Sequence, residues 1–414
     1  MDNKKTNKGG LKVFRNEALA IPQLIETTTR REDWVKYGAD NLYPNYLVSL
    51  LEKSAIHKSI QTGKQDMVVG DGITVSNMKQ LSPEQIALVN DFILNPNNTE
   101  TLEDITYKIA MDLILYGAYA LNVIWSKDRN SIAEIYHIDY GKLRAQKPNE
   151  DGTDTNYLYY SHDWSDLKKA VNEPTLIRKF DYKERKEASQ IYICMDYSPD
   201  CGYYARPQYS AAIPYVEIDS EIGLYHLNNI QNSLSPDYIL QINNGVPEDE
   251  EANLLYQQFK RELTGHKGHK FMMTFGNSTE NAPSLVAIPT TDADKQFLVL
   301  NEAVLQALCT ANKVTSPMLL GIKTPGQLGG RSELMDAYDL YYATVINKLQ
   351  KMIAKTYNKI SAINGANAKF DFVKPEPLPF TLTESALLQV ATQNEVRDML
   401  GLPPITPVQE TIQE

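Results

Sequence analysis

The chain has 414 residues, 42% hydrophobic and 22% charged, a balance that excludes a disordered polymer and supplies apolar material for two or three ordinary domains. A net charge of −11 excludes a broad basic face that holds nucleic acid through counterion release. No apolar run approaches the ~20 residues of a membrane-spanning helix, and the Lys-, Asn- and Gly-rich start, Met1 to Gly10, does not read as a secretory signal, so residence in a cytosol is expected.

In chain order, apolar residues at Leu47, Leu50, Leu51, Ile56 and Ile60 predict a helical segment over Asn45 to Val68, stopped by Gly70-Asp71-Gly72. Ser82 as N-cap, Pro83 at the first helical position and Glu84 in the first turn predict a second helix to Leu94. Thr101 to Tyr116 is a third, with Gly117 as its C-terminal stop. The pattern then changes to short β-rich runs at Ala118 to Trp125, Ile132 to Ile138, Tyr157 to Tyr160, Leu176 to Phe180 and Gln190 to Met195. The dense charges between Glu150 and Lys186 read as solvated loops.

A Pro-, Gly- and Tyr-rich connector, Asp200 to Pro214, leads to a predicted helix over Tyr215 to Ser233. It carries Ile218, Ile222 and Tyr225 on one face, with Glu217, Asp219 and Glu221 in its first turns, where the macrodipole favours acids. A strand over Tyr238 to Ile242, a turn at Asn243-Asn244-Gly245, a helix over Asp249 to Leu263 and strands at Lys270 to Phe275 and Leu285 to Ile288 make a small α/β module. A helix from Asp292 to Val314 opens on Asp292 and Asp294 and places Phe297, Leu300, Val304, Leu308 and Ala311 on one face. Beyond Thr315-Ser316-Pro317 and a glycine-rich stretch, Gly321 to Gly330, the longest helix covers Arg331 to Ile363. At ~1.5 Å per residue it spans roughly 50 Å, a length that suits a strut against neighbouring subunits. Val373 to Pro379 reads as extended and Thr383 to Leu400 as a last helix.

The sequence carries no Gly-x-Ser-x-Gly, His-Glu-x-x-His or Cys-x-x-Cys motif, so no catalytic residue and no cofactor is expected. The three cysteines, Cys194, Cys201 and Cys309, are too few for a disulfide framework and are expected to be reduced. His266 and His269 lie among lysines and glycines without further ligands, so a loop rather than a metal site is expected. Gly321 to Gly326 has the outer spacing of a phosphate-binding loop, but Gln327-Leu328 stands where Lys-Ser or Lys-Thr belongs, and no strand is predicted before it. Glycines and Pro325 instead suit a mobile loop between two helices.

Three strings lie in order between Pro214 and Gly401 or just beyond: Tyr238-Ile-Leu-Gln-Ile-Asn-Asn-Gly-Val-Pro247, Ser316-Pro-Met-Leu-Leu-Gly321 and Asn394-Glu-Val-Arg-Asp-Met-Leu-Gly-Leu-Pro-Pro404. With the helix, α/β insert, helix, loop and long helix around them, the chain resembles the portal proteins of tailed bacteriophages. The middle string is similar to that family's Val-Pro-Pro-x-Leu-Leu-Gly, with Thr315-Ser316 in place of Val-Pro.

The resemblance implies an α+β fold: an N-terminal wing (1–215), a first stem helix (216–237), an α/β clip (238–291), a second stem helix (292–314), a tunnel loop (315–330), a long wing helix (331–364) and a C-terminal wing or reduced crown (365–414). It also implies a non-enzymatic ring, usually of twelve copies, at one capsid vertex of the virion, assembled in the host cytoplasm without a membrane. Double-stranded DNA would pass through it during packaging and ejection, the clip would dock terminase and later the head-tail adaptor, and the wing would meet the major capsid protein. On this resemblance Lys323, Thr324, Gln327 and Arg331 would face DNA. Glu217, Asp219, Glu221, Asp292 and Asp294 would lie near stem ends, either lining the channel or as solvated helix starts. Two other readings stay open: another phage head or connector protein without a channel, and a nucleotide-binding enzyme using residues 321–332.

Overall fold

Capping residues set the starts of the helices that open at Ala55, Pro83 and Leu102. The structure, a computed structural model, describes residues 21–153, 155–232, 238–242, 254, 271–275, 284–287, 293–322, 330–376 and 397. The chain up to Val373 forms one compact unit, and a second begins at Lys374. In the first unit, the segment expected to be one helix over Asn45 to Val68 is two: α1 (Tyr43–Lys53) and α2 (Ala55–Val69). Ser54 between them has extended backbone, and its hydroxyl accepts the His57 amide at 3.0 Å. A serine able to cap the following turn competes with its own place in a continuous helix, and here the cap wins.

Helix α3 (Pro83–Leu94) starts on a capping box of Ser82 and Gln85, and α4 (Leu102–Tyr116) on one of Thr101 and Asp104. In each, the box satisfies two amides that have no partner inside the helix. Gly117 ends α4 in the left-handed region, φ +79°, and the chain turns directly into a strand.

Thirteen strands are described. β1 (Glu26–Thr28) pairs antiparallel with β2 (Val35–Tyr37), and β3 (Ile73–Val75) with β13 (Phe370–Phe372). β4 (Ala118–Trp125) is the centre of an antiparallel sheet between β5 (Ile132–Ile138) and β9 (Ser189–Met195). β7 (Tyr157–Tyr160) is the centre of another between β6 (Leu143–Ala145) and β8 (Thr175–Arg178). The expected strand over Leu176 to Phe180 therefore starts and ends earlier. Phe180 leaves it because its amide bonds Ile191 O at 2.8 Å and its ring stacks on Trp125 at 5.6 Å. The strand pairs β1/β2 and β3/β13 and strand β6 had no clear signal, being three residues each and dependent on distant partners.

Helix α5 (Ile213–Asn232) leads to β10 (Tyr238–Ile242), which pairs parallel with β11 (Phe271–Phe275) and antiparallel with β12 (Ser284–Ala287). Two parallel neighbours cannot be joined by a tight turn, which agrees with the expected β-α-β-β order. Of the helix expected at Asp249 to Leu263, Leu254 is described and is helical; the turn at Asn243 to Gly245 lies outside the described residues. Helix α6 (Ala293–Ala311) follows, then α7 (Arg331–Tyr341), a π-helical turn (Tyr342–Ile346) and α8 (Asn347–Ile363). The last three form a continuous helical run with the expected ends, and the π turn inserts extra backbone into it. The helix expected over Thr383 to Leu400 lies outside the described residues apart from Arg397, which is helical.

The apolar face of the long run is buried within the chain's own unit. Tyr341, Ile346, Ile353 and Tyr357 are fully buried in a core built with α2, α4, β4 and β5. Thr106 and Tyr357 share a hydroxyl hydrogen bond of 2.6 Å, and Tyr119 and Thr356 another of 2.6 Å. Burial pushes both tyrosine hydroxyls well above their ordinary pKa, so they stay protonated and bonded. The apolar repeat that suited a strut is spent on the chain's own core.

A second core joins α1, α2, the connector residues Tyr204 to Ala212, α5 and α6. In it Arg144 is fully buried with no carboxylate partner among the described residues. Its guanidinium donates to Asn41 Oδ1 (2.7 Å), Asn41 O (2.8 Å), Gly141 O and Leu143 O (2.7 Å each), and lies 4.7 Å from the Trp164 ring centroid. A planar ion so enclosed in neutral acceptors and ring faces needs no counter-ion to be solvated.

A Cβ at Gly117 would stand 2.9 Å from the Arg206 carbonyl oxygen, in a conformation L-residues disfavour. Gly117→Ala is expected to lower stability by about 2 kcal/mol in urea denaturation of the purified protein; a change below about 0.5 kcal/mol would contradict this close approach.

Candidate functional site: the helix pair and the root of the glycine-rich loop

Helix α5 begins at Ile213, directly after a 3₁₀ turn at Ser210–Ala212, and Pro214 occupies its first turn. The expected start at Tyr215 is therefore two residues late. Glu217, Asp219 and Glu221 consequently fall beyond the first turn, outside the reach of the helix N-terminal field. Asp219 instead accepts the Ser54 hydroxyl at 2.6 Å, tying α5 to the α1/α2 junction. Glu217 is half-buried beside Tyr46 of α1; burial, aided by that carboxylate, pushes the Tyr46 hydroxyl above its usual range. Glu221 is exposed.

The two helices of the pair meet where the Tyr225 and Phe297 rings pack tilted, 4.4 Å between centroids. Val216 and Ile222 on α5 and Val304 and Leu308 on α6 are buried in the second core, so the helices run antiparallel with one common root. Away from that root the apolar residues lose cover. Leu224 and Leu227 are about half exposed, and Leu298 and Val299 are 70% and 69% exposed. Leu300, expected on the buried face, is also exposed. The periodicity identified the helix correctly, but among the described residues nothing covers this part of it.

Helix α6 ends at Ala311 rather than Val314, because Lys313 adopts the left-handed region at φ +55° and the Val314 amide closes back on Cys309 O at 2.9 Å. This is the Schellman pattern with lysine in the position glycine usually takes. A 3₁₀ turn, Pro317–Leu320, follows and is capped by Gly321 at φ +72°. Its Leu320 lies against Gly63 of α2, where a Cβ would stand 2.6 Å from Leu320 Cδ2, and Ser59 donates to Leu320 O at 3.1 Å. On the other side, Thr315 donates to Ala337 O of α7 at 2.6 Å. The root of the glycine-rich stretch is thus held by α2 and α7.

Of the residues expected to face DNA, Arg331 is exposed at the first position of α7, while Lys323, Thr324 and Gln327 lie outside the described residues. Asp294 is in the first turn of α6 and Asp292 is outside the described residues. What precedes Gly321 is a helix and a 3₁₀ turn, whereas a phosphate-binding loop follows a strand; the nucleotide reading loses its context. Among the described residues no group of three His, Cys, Asp or Glu side chains could hold a metal, and no helix is long and apolar enough to cross a membrane. His266 and His269 lie outside them. A polar stripe on α2, His57, Gln61 and Lys64, reaches the end of α6; its four- and three-residue spacing was present in the sequence without marking it as buried.

No family model and no curated protein sequence matches the chain. Solved structures do. A chain of the neck of the empty gene transfer agent particle, computed with C6 symmetry, is 15% identical, with 87% of this chain and 94% of that chain covered and a TM-score of 0.55. A chain of the neck of the native particle, computed with C12 symmetry, is 14% identical over 87% and 95%, also at 0.55. An HK97-family phage portal protein from Corynebacterium diphtheriae is 9% identical over 83% and 97%, at the lower TM-score of 0.46. At such identities the likeness establishes a fold, and the fold is α+β, shared with the neck chains over nearly their whole length.

Ser54→Ala removes both the α2 cap and the bond to Asp219. A loss of about 2 kcal/mol is expected, and Asp219→Asn should lose less because the substituted amide keeps an oxygen acceptor; chemical denaturation of the two variants checks the order.

Proposed function

We propose that this chain is the subunit of a portal-type ring, a passive conduit for double-stranded DNA at one vertex of a viral capsid. The observation that carries the reading is the match of nearly the whole chain to neck chains from particles computed with C6 and C12 symmetry. Twelve copies are the number we adopt. The exposed apolar face at the distal half of the helix pair supports the same reading. Leu224, Leu227, Leu298 and Val299 keep about half or more of their surface exposed, each leaving unused a fraction of the ~1.5–3 kcal/mol that full burial of such a side chain gives. Head-to-tail contacts that close by rotation would cover one such face per subunit.

In this reading α5 and α6 are the stem, β10 to β12 belong to the clip, and residues 315–330 are the tunnel loop, with Lys323, Thr324, Gln327 and Arg331 toward DNA. The acidic balance of the chain fits a conduit, since a cargo that must slide should not be held by many phosphate contacts. Terminase and then the head-tail adaptor would dock on the clip, and the major capsid protein on the wing. The particle vertex would be its final location, with the host cytoplasm as the place of assembly. Asp219 and Glu217 serve as ties to α1 and α2 in this scheme, leaving Glu221 as the described acid of α5 open to a channel.

Electron microscopy of the purified full-length protein is expected to give rings with a central opening. Val299→Glu should reduce them to folded monomers with an unchanged circular dichroism spectrum. A monodisperse wild-type monomer across salt conditions would remove the ring, and rings without an opening would favour a connector protein lacking a channel. In a packaging assay, deletion of Thr324 to Gly329 should leave rings intact and lower DNA retention; normal packaging would sink the tunnel-loop assignment.

A further inference from the structure

One face of α2 carries three polar side chains into the interior. His57, Gln61 and Lys64 are four and three residues apart, a spacing that aligns side chains along one helical stripe, and with Asn312 at the end of α6 each is at most 2% exposed. Lys64 Nζ donates to Asn312 Oδ1 at 2.9 Å, Gln61 Nε2 donates to the same oxygen at 3.2 Å, and Asn312 Nδ2 donates to Leu308 O at 2.9 Å.

These bonds fix the protons. Asn312 must turn its NH₂ to the Leu308 carbonyl, so its oxygen faces α2. Gln61 must then offer its NH₂ to that oxygen, and the same NH₂ lies 3.2 Å from His57 Nδ1. His57 Nδ1 is therefore a bare acceptor and the ring proton sits on Nε2, with the ring edge-on to Tyr209 at 4.6 Å. Protonating Nδ1 would set two donors against each other. Lys64 has an amide oxygen, not a carboxylate, as its partner. The charges that bear on it are cationic: Lys313 from the end of α6, and His57 on its own helix when protonated.

We infer that His57, Gln61, Lys64 and Asn312 form a proton-operated latch, which in its proton-poor state holds the end of α6 and the root of the glycine-rich loop against α2, and releases them on proton uptake.

The direction follows from linkage. Burial first, and Lys313 second, push the Lys64 amine from its ordinary 10.5 down to about 7. Between those values the open state, with Lys64 in water, binds more protons than the closed one, so the closed state weakens as pH falls from about 10.5 to about 7. Burial first, then Lys64, pushes His57 from 6.5 down to about 4, which adds a second window of weakening as pH falls through that range.

The test is amide hydrogen exchange of the full-length protein, read on peptides covering Cys309 to Ile322 and corrected for the intrinsic pH dependence of exchange. From about pH 9.5 to about pH 7.5 the opening constant should rise toward about tenfold per pH unit, while peptides of β4 (Ala118–Trp125) stay flat. Lys64→Met should abolish the slope. A flat wild type, or a slope that survives in Lys64→Met, overturns the latch. Should Lys64→Met fail to fold, Gln61→Glu sets a carboxylate in the cluster and is expected to flatten the slope by keeping its bases charged in the closed state; an unchanged slope there overturns the latch equally.

Discussion

The burial of α7 and α8 against the N-terminal half is the constraint on which the rest of the unit depends. α4 and β4 present an apolar surface that no nearby segment covers, and the chain returns more than two hundred residues later to cover it with Tyr341, Ile346, Ile353 and Tyr357. Two hydroxyl bonds inside that contact, Thr106 with Tyr357 and Tyr119 with Thr356, fix the rotation of α8, because a buried hydroxyl turned away from its partner is costly. The pairing of β13 with β3 then closes the far end. Of the described segments between β9 and α7, the connector, α5 and α6 contribute their buried residues to the second core.

That topology explains why the helix pair is secure at one end and bare at the other. Its root is held by Val216, Ile222, Val304 and Leu308, by the Ser54–Asp219 bond and by the polar contacts of α2 with Asn312. Further out, the two helices have each other, through Tyr225 and Phe297, and little else among the described residues to shield Leu298 and Val299. The same arrangement makes α2 a junction, since one face of it meets the end of α6 through Lys64 and Leu320 through Gly63. Changes in the cation on Lys64 and changes in the loop root therefore bear on one helix.

Much of the local structure was legible because its causes are local. Ser82 and Pro83, Gly117, and the β-branched and aromatic runs of β4, β5 and β7 each name their own element. The α+β class and the order of helix, small sheet, helix, loop and long helix followed from that punctuation. The candidate site was legible in part: the helix pair and the position of Arg331 were readable, whereas the tie between Asp219 and Ser54 joins residues 165 apart in the sequence and has no local signal.

By itself the sequence determined which elements form, some of their boundaries and the class of fold, since propensity and capping are properties of neighbours. Tertiary structure alone decided what each face is for. It turned the long helix into the chain's own core, moved the acids of α5 out of the first turn by starting the helix at Ile213, and buried Lys64 with an amide as its partner. The physical reason is that burial and pairing depend on which distant surface arrives opposite a residue, and the same periodic stripe serves a core, a subunit contact or a polar latch according to that arrival.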